Sequence, residues 1–335
     1  MIREREAEIA GDFSEDFVAG LGGHRIVRAM PTVSGSVPRP QAPPPPPQQN
    51  KFRRDPRLAS IYDTEIAPVW TQPFGKLLLG QVAPLEGKAT LLDVMCHTGY
   101  PGFELLRRFP DSRLMAVDPS AALIELARRK AGALLSRRVF LRTELGEPKL
   151  PFDEAVYDLV VSNLGLYDSA QPHLLLRELA RVAKPGAQVV ATLPLRGTFA
   201  EFYTLLSAEL AGREVEQERL KTHLLSWPDV DTVRGWARQA DLEDVELVIA
   251  PFSLLFAGAV DLFYAPLIEF GPLLAWKALF SDGLGGMQAV FQSLRDRIEQ
   301  ICSPEQADRA GLHPTVRKPL VLTVRAACLR ARRPL

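Results

Sequence analysis

The stretch "LLDVMCHTGYPGFELL", residues 91–106, constrains this chain more than any other. An apolar run ends in an acid, a short loop follows, and an amphipathic segment starts near Gly102 or Phe103. This reads as a strand, a turn and the first turn of a helix. Gly99 and Gly102 give the turn backbone freedom, and the helix start offers unpaired amides. From Lys51 onward the alternation repeats. Strands are predicted at "ATLLDVM", "RLMAVD", "VFLRT", "YDLVVSNL" and "AQVVATLPL". Between them "SAALIELARRKAGALL" sets Leu123, Leu126 and Ala127 on one face and Arg128, Arg129 and Lys130 opposite. A second helix, "QPHLLLRELARVAKPG", ends in the stop Lys184-Pro185-Gly186. Strands alternating with helices build βαβ units, hence a doubly wound α/β domain with a mostly parallel sheet. Two later runs, "DVELVIAPFSLLF" and "PLVLTVRAACLR", are further strand candidates, and a mostly helical insert at 259–312 separates them.

Residues 1–50 stand apart from this pattern. Residues 31–50, "PTVSGSVPRPQAPPPPPQQN", are proline-rich and predict a semi-rigid solvated linker. The piece before it is too short to bury a core, so it is either disordered or a docking peptide for a partner protein. Lys and Arg number 40, as do Asp and Glu, and this neutral balance argues against nucleic acid as a partner. No uncharged apolar stretch reaches the length of about 20 residues that a membrane span needs. The start, "MIREREAEIAGDF", lacks the apolar segment of a signal peptide. Cys96, Cys302 and Cys328 are far apart with no CxxC spacing. Neither a disulfide framework nor a metal site is expected, and a cytoplasmic location is the default.

Ligands of such sheets sit at the carboxyl ends of the strands. Asp93 ends the first strand and Asp118 the second. Asp118 follows the turn by about 20 residues, the spacing of an acid that binds ribose hydroxyls. A carboxylate accepts two hydrogen bonds from vicinal hydroxyls, which is why an acid suits that place. "HTGYPG" also lines up with GxGxxG apart from His97 in place of the first glycine, but a nicotinamide-dependent reading leaves Asp93 without a role.

The chain resembles the class I S-adenosylmethionine-dependent methyltransferases, whose first strand and turn run D-x-G-x-G-x-G. Asp93, Met95, His97 and Gly99 occupy the four marked positions, and "MAVDPS", "LPFDEAVYDLVVSNLGL" and "LLRELARVAKPGAQVVATLPL" follow in order. The nearest flavour is the small-molecule group with the ubiquinone/menaquinone and malonyl-carrier-protein methyltransferases. The resemblance implies a seven-stranded sheet with an antiparallel last strand and S-adenosyl-L-methionine as cofactor. It further implies that Asp93 orients the turn, Asp118 binds the ribose, Glu144 the adenine amine, and Asn163 another part of the cofactor. Tyr62 would lie on a helix covering the cofactor. "SNLGL" at 162–166 lacks the prolines of the methyltransferases that act on base or amide nitrogens. The implied acceptor is a small molecule, apolar or acyl-like, selected by the insert. His173 and His223 are candidate bases, but no clear catalytic base emerges from the pattern.

Met95 and His97 depart from the family's glycines. A side chain where the backbone takes a positive φ costs on the order of 1 kcal/mol, and it also fills space a ligand could use. Two readings therefore stay open: an active methyltransferase, and a methyltransferase-like interaction module with a vestigial pocket.

Overall fold

The computed structural model describes residues 3–6, 56–143, 149–280, 284–303 and 318–335. The central sheet has eight strands in the order β1-β7-β10-β6-β5-β2-β3-β4. These are β1 (Arg3–Glu6), β2 (Thr90–Val94), β3 (Arg113–Val117), β4 (Val139–Arg142), β5 (Tyr157–Asn163), β6 (Ala183–Pro194), β7 (Glu243–Ile249) and β10 (Ala326–Arg332). β10 runs antiparallel to both neighbours, β6 and β7, and the remaining pairs are parallel. The doubly wound sheet with an antiparallel last strand is the expected architecture. The added edge strand, β1, comes from the N-terminal arm and pairs with β7. The linker at 31–50 lies outside the described residues.

Helices cover both faces. On one lie α2 (Thr71–Gln81), α3 (Gly102–Arg108) and α4 (Ala121–Ala131), which bury Leu78, Leu105 and Ile124 against Leu91 and Leu114 of the sheet. On the other lie α6 (Pro172–Val182) and α9 (Val230–Gln239). α6 starts on a proline that needs no N–H partner there, and it buries Leu175, Leu176 and Leu179 at 3-4 spacing. Each such leucine contributes roughly 1.5–3 kcal/mol by leaving water.

The two late strand candidates each break in two. β7 is followed by β8 (Phe252–Phe256), and β10 is preceded by β9 (Leu320–Val324). Pro251 cannot donate to a ladder. Past it, β8 and β9 leave the main sheet and pair only with each other, Phe252 opposite Val324 and Phe256 opposite Leu320. This antiparallel ribbon carries the insert. α10 (Ala259–Tyr264), α11 (Pro266–Glu269), α12 (Pro272–Lys277) and α13 (Leu284–Ile301) follow, with α7 (Ala200–Glu209) and α8 (Glu214–Ser226) beside them. Together they form a third, aromatic-rich core that includes Phe74, Phe199, Phe202, Tyr203 and Trp276. Two short elements complete the chain: α1 (Pro56–Ile61) with the π-helical turn Tyr62–Ile66 after it, and α5 (Gly165–Asp168) after β5.

Candidate functional site

The order of strands reverses between β2 and β5, because β3 and β4 lie to one side of β2 and β5 to the other. The loops leaving these two strands therefore diverge and open a crevice. The turn after β2 passes through the left-handed region three times, with φ 60° at Met95, 51° at His97 and 98° at Gly99. The backbone thus keeps the path of a glycine-rich turn although two of its positions carry side chains. Neighbours hold it there: Cys96 N donates to Val117 O at 3.0 Å and Gly99 N to Cys96 O at 2.8 Å. His97 N donates to Asp118 Oδ2 at 2.9 Å, while Asp118 Oδ1 accepts from Ser120 N at 2.8 Å. Gly99 is required as glycine, since a Cβ there would lie 2.3 Å from the Phe103 ring.

A cleft of about 890 Å³, counted out to its mouth, lies over this turn. Met95, His97 and Asp118 form its floor, and Tyr62, Trp70, Tyr167 and Phe199 its aromatic walls. Leu267, Phe270, Gly271 and Pro272 of the insert complete the rim. Eight non-glycine residues among those described have positive φ, and four of them, Met95, His97, Leu164 and Phe199, line this cleft. Each costs about 1–3 kcal/mol, and such cost gathers where surrounding structure enforces it and function uses it.

Charge in the site is arranged around His97. Its Nε2 meets Asp168 Oδ2 at 3.0 Å and its ring stacks on Tyr62 with centroids 5.2 Å apart. Nδ1 is buried without a hydrogen-bond partner. Burial works against a charged imidazole, but the hydrogen bond and charge of Asp168, helped by Asp118 and Asp93, lift its pKa above the usual value. Burial raises Asp118, although the charge of His97 and its two N–H donors oppose this. Asp93 is pushed up to about 7, again chiefly by burial. Behind the turn, Thr98 Oγ1 donates to Asp63 Oδ1 at 2.6 Å, and Lys130 pairs with the same carboxylate.

The sequence-expected residues separate into groups. Met95, His97 and Asp118 meet at the cleft floor. Asp93 lies beneath them, fully buried, where Oδ2 accepts from Gly102 N at 3.2 Å and Oδ1 has no partner. It orients the start of α3 rather than facing the cleft. Gly99 shapes the turn without lining it. Asn163 also points elsewhere: Nδ2 donates to Thr71 O at 3.0 Å and Oδ1 accepts from Thr192 Oγ1 at 2.7 Å. Its amide ties α2 to β6, so it is a brace between elements and not a cleft residue. Glu144 lies outside the described residues. His223 bonds Tyr203 Oη at 2.8 Å, away from the cleft. Tyr62 does cover the cleft, with its hydroxyl fixed to Thr71 Oγ1 at 2.6 Å. Asp168 and Trp70 were not expected. An acid just past the carboxyl end of the fourth predicted strand was the available signal for Asp168.

Residues 91–186 match a family model described as a methyltransferase domain. The chain is 29% identical over 176 residues to a demethylmenaquinone methyltransferase of Clavibacter sepedonicus, a match covering 49% of this chain and 69% of that one. It is 30% identical over 135 residues to a malonyl-[acyl-carrier protein] O-methyltransferase of Legionella pneumophila, covering 40% of this chain and 45% of that one. These likenesses support the resemblance to the class I S-adenosylmethionine-dependent methyltransferases, with the family match confined to residues 91–186. A third relative, the tRNA U34 carboxymethyltransferase of Campylobacter curvus, is 27% identical over 195 residues, with 56% of this chain and 59% of that one covered. The names of the three point to three different acceptors, so the likeness leaves the acceptor to be argued from the cleft. S-adenosyl-L-methionine is the family's cofactor, and its sulfonium and ammonium groups are cations. A lining with Asp118 and Asp168 and, among the described residues, no lysine or arginine suits a ligand of that charge. No group of His, Cys, Asp and Glu that could hold a metal occurs among the described residues. Nor is any helix there long and apolar enough to cross a membrane.

Proposed function

We propose that this chain transfers a methyl group from S-adenosyl-L-methionine to a small apolar acceptor bound in the cleft over the 95–99 turn. The observation that carries this reading is the meeting of Asp118, the turn and an aromatic wall at the carboxyl ends of β2 and β5. Asp118 would hold the ribose hydroxyls and the turn would run along the methionine end. The cofactor supplies the activated methyl, so the protein's task is alignment and exclusion of water. Apolar groups gain roughly 25 cal/mol for each Å² removed from water, and Trp70, Phe199 and Phe270 offer such surface to an acceptor. The proline-rich arm remains a candidate docking segment for a protein partner.

Thermal denaturation with S-adenosylhomocysteine and with NAD tests the reading. A rise in melting temperature that grows with S-adenosylhomocysteine concentration, and none with NAD, is expected. No response to millimolar S-adenosylhomocysteine would leave an interaction module as the better account.

A further inference from the structure

We propose that the open edge of the β8–β9 ribbon is a dimer interface, at which β8 pairs antiparallel with β8 of a second copy of this chain. This stands apart from the reading of the cleft and does not depend on it. The direction of the backbone carries the argument. At Thr323 of β9 the C=O accepts from Phe199 N at 2.7 Å and the N–H donates to Glu201 Oε2 at 3.0 Å, so neither is spent on β8. The start of α7 thus caps the outer edge of β9 at that residue. Ser253 is the register partner of Thr323, and Leu255 that of Val321. Bonded and non-bonded pairs alternate along an antiparallel ladder, so these two pairs are the non-bonded ones. The N–H and C=O groups of Ser253 and Leu255 therefore point away from β9. Among the described residues nothing takes them up.

The edges of the main sheet are blunted by charge. β1 reads Arg-Glu-Arg-Glu, and β4 ends at Arg142 with Leu141 O taken by Arg128 Nη2 at 3.4 Å. β8, "FSLLF", carries neither a charge nor a proline. An edge left in that state is a template for another strand. Its outer face is apolar as well. Leu255 is 63% exposed beside its cross-strand partner Val321, and α10, which packs on β8, leaves Val260 and Tyr264 exposed one turn apart. Of the nine large apolar side chains exposed among the described residues, these elements hold four.

Symmetry sets the register and the occupant. A two-fold axis at Leu254 places Ser253 opposite Leu255 of the partner subunit, and Leu255 opposite Ser253 of the partner subunit. Each pair exchanges two hydrogen bonds, which satisfies every outward group of both residues. A two-fold axis also sets like against like, so a charged strand repels its own copy, and β8 has no charge to repel. The same patch serves both sides and pairing uses up the edge in each copy, so association stops at two. Pro251 before the strand has no N–H to donate, and Ala257 N after it is taken by Asp261 Oδ2 at 2.8 Å, which confines the new ladder to β8. Joined this way, the Leu255–Val321 pairs of the two copies form one apolar stripe across a four-stranded sheet. Strands this short make a small interface, so the dimer forms at micromolar rather than nanomolar concentration.

Sedimentation velocity of the full chain over a wide concentration range, with hydrogen exchange alongside, tests this. A reversible shift from one chain mass to two is expected, with slower exchange of the Ser253 and Leu255 amides at the high end. Ser253→Pro removes an N–H that the pair uses and the monomer does not, and should raise the dissociation constant by about tenfold or more. Leu255→Lys sets two lysines beside the axis and should do the same. Both positions are exposed, so melting temperatures at low concentration should match the wild type. Val215→Lys, at an exposed site on α8, should leave the dimer intact. A wild type that stays monomeric overturns the proposal, as does a dimer that survives either β8 substitution or is lost with Val215→Lys. Protection of the Ser253 and Leu255 amides that does not change with concentration assigns the edge to another segment of the same chain, and also overturns it.

Discussion

Asp118 Oδ2 accepts the backbone N–H of His97 across 2.9 Å, so the acid that ends β3 fixes the turn that ends β2. Its other oxygen accepts Ser120 N at the start of α4. One carboxylate therefore links the two successive βα turns that floor the cleft. Each of its oxygens keeps a further lone pair for a ligand hydroxyl.

Asp118→Ala should loosen the turn and remove the ribose acceptor together. Loss of one charge-assisted hydrogen bond corresponds to roughly 1.5–3 kcal/mol, a weakening of S-adenosylhomocysteine binding of about 10- to 150-fold. Calorimetric titration of the variant and the wild type measures it. Equal affinities would remove Asp118 from the binding site.

Asp93 gives a pH signature. Its folded pKa of about 7 lies above the ordinary aspartate value of 3.8, so the native state holds a proton that the unfolded chain releases. Stability should fall as pH rises from about 4 to 7 and then level off. Asp93→Asn removes the buried charge, and the melting temperature of the variant relative to wild type should rise more at about pH 8 than at about pH 5. A pH-independent difference would mean that Asp93 titrates normally.

Gly99→Ala should destabilise well beyond the usual cost of such a change. The backbone there has φ 98° and a Cβ would lie 2.3 Å from the Phe103 ring. A loss of about 2 kcal/mol or more in chemical denaturation is expected, since strain and overpacking add. Gly80 lies inside α2 with nothing within 4 Å of an added Cβ and serves as the control, where alanine should be neutral or stabilising.

Trp276 and Phe270 should behave differently. Trp276 is fully buried, stacks on Phe202 at 3.8 Å and donates to Tyr203 Oη at 3.1 Å. Trp276→Ala is expected to cost about 3–5 kcal/mol of stability, whichever acceptor is used. Phe270 lines the cleft mouth. Phe270 also packs half-buried against the aromatic core, so Phe270→Ala should cost less stability than Trp276→Ala while weakening binding of an apolar probe such as para-nitrophenol. Unfolding at matched denaturant and probe titration separate the two. Similar losses in both assays for both variants would show that the insert is a packed cap with no role at the cleft.

Much of this architecture was legible in the chain. The alternating apolar runs are local signals, and β2 to β6 fall where they predict. Asp93 and Asp118 could be placed because strand ends are marked by the acid itself. What was not legible is non-local. The break of each late strand at the Pro251 level depends on a partner about 75 residues away, and Asn163 bonds Thr71 and Thr192, which no spacing rule connects. His97 was legible as a departure from a glycine pattern but not as the partner of Asp168, because Asp168 reaches it only after β5 folds beside β2.

The most direct measurement is a crystal structure of the protein with S-adenosylhomocysteine. The account expects the nucleoside in the cleft, with its ribose hydroxyls on Asp118 and its amino-acid end along residues 95–99. Density for the ligand elsewhere, or an empty cleft at saturating ligand with Met95 and His97 in the ligand's place, would contradict it.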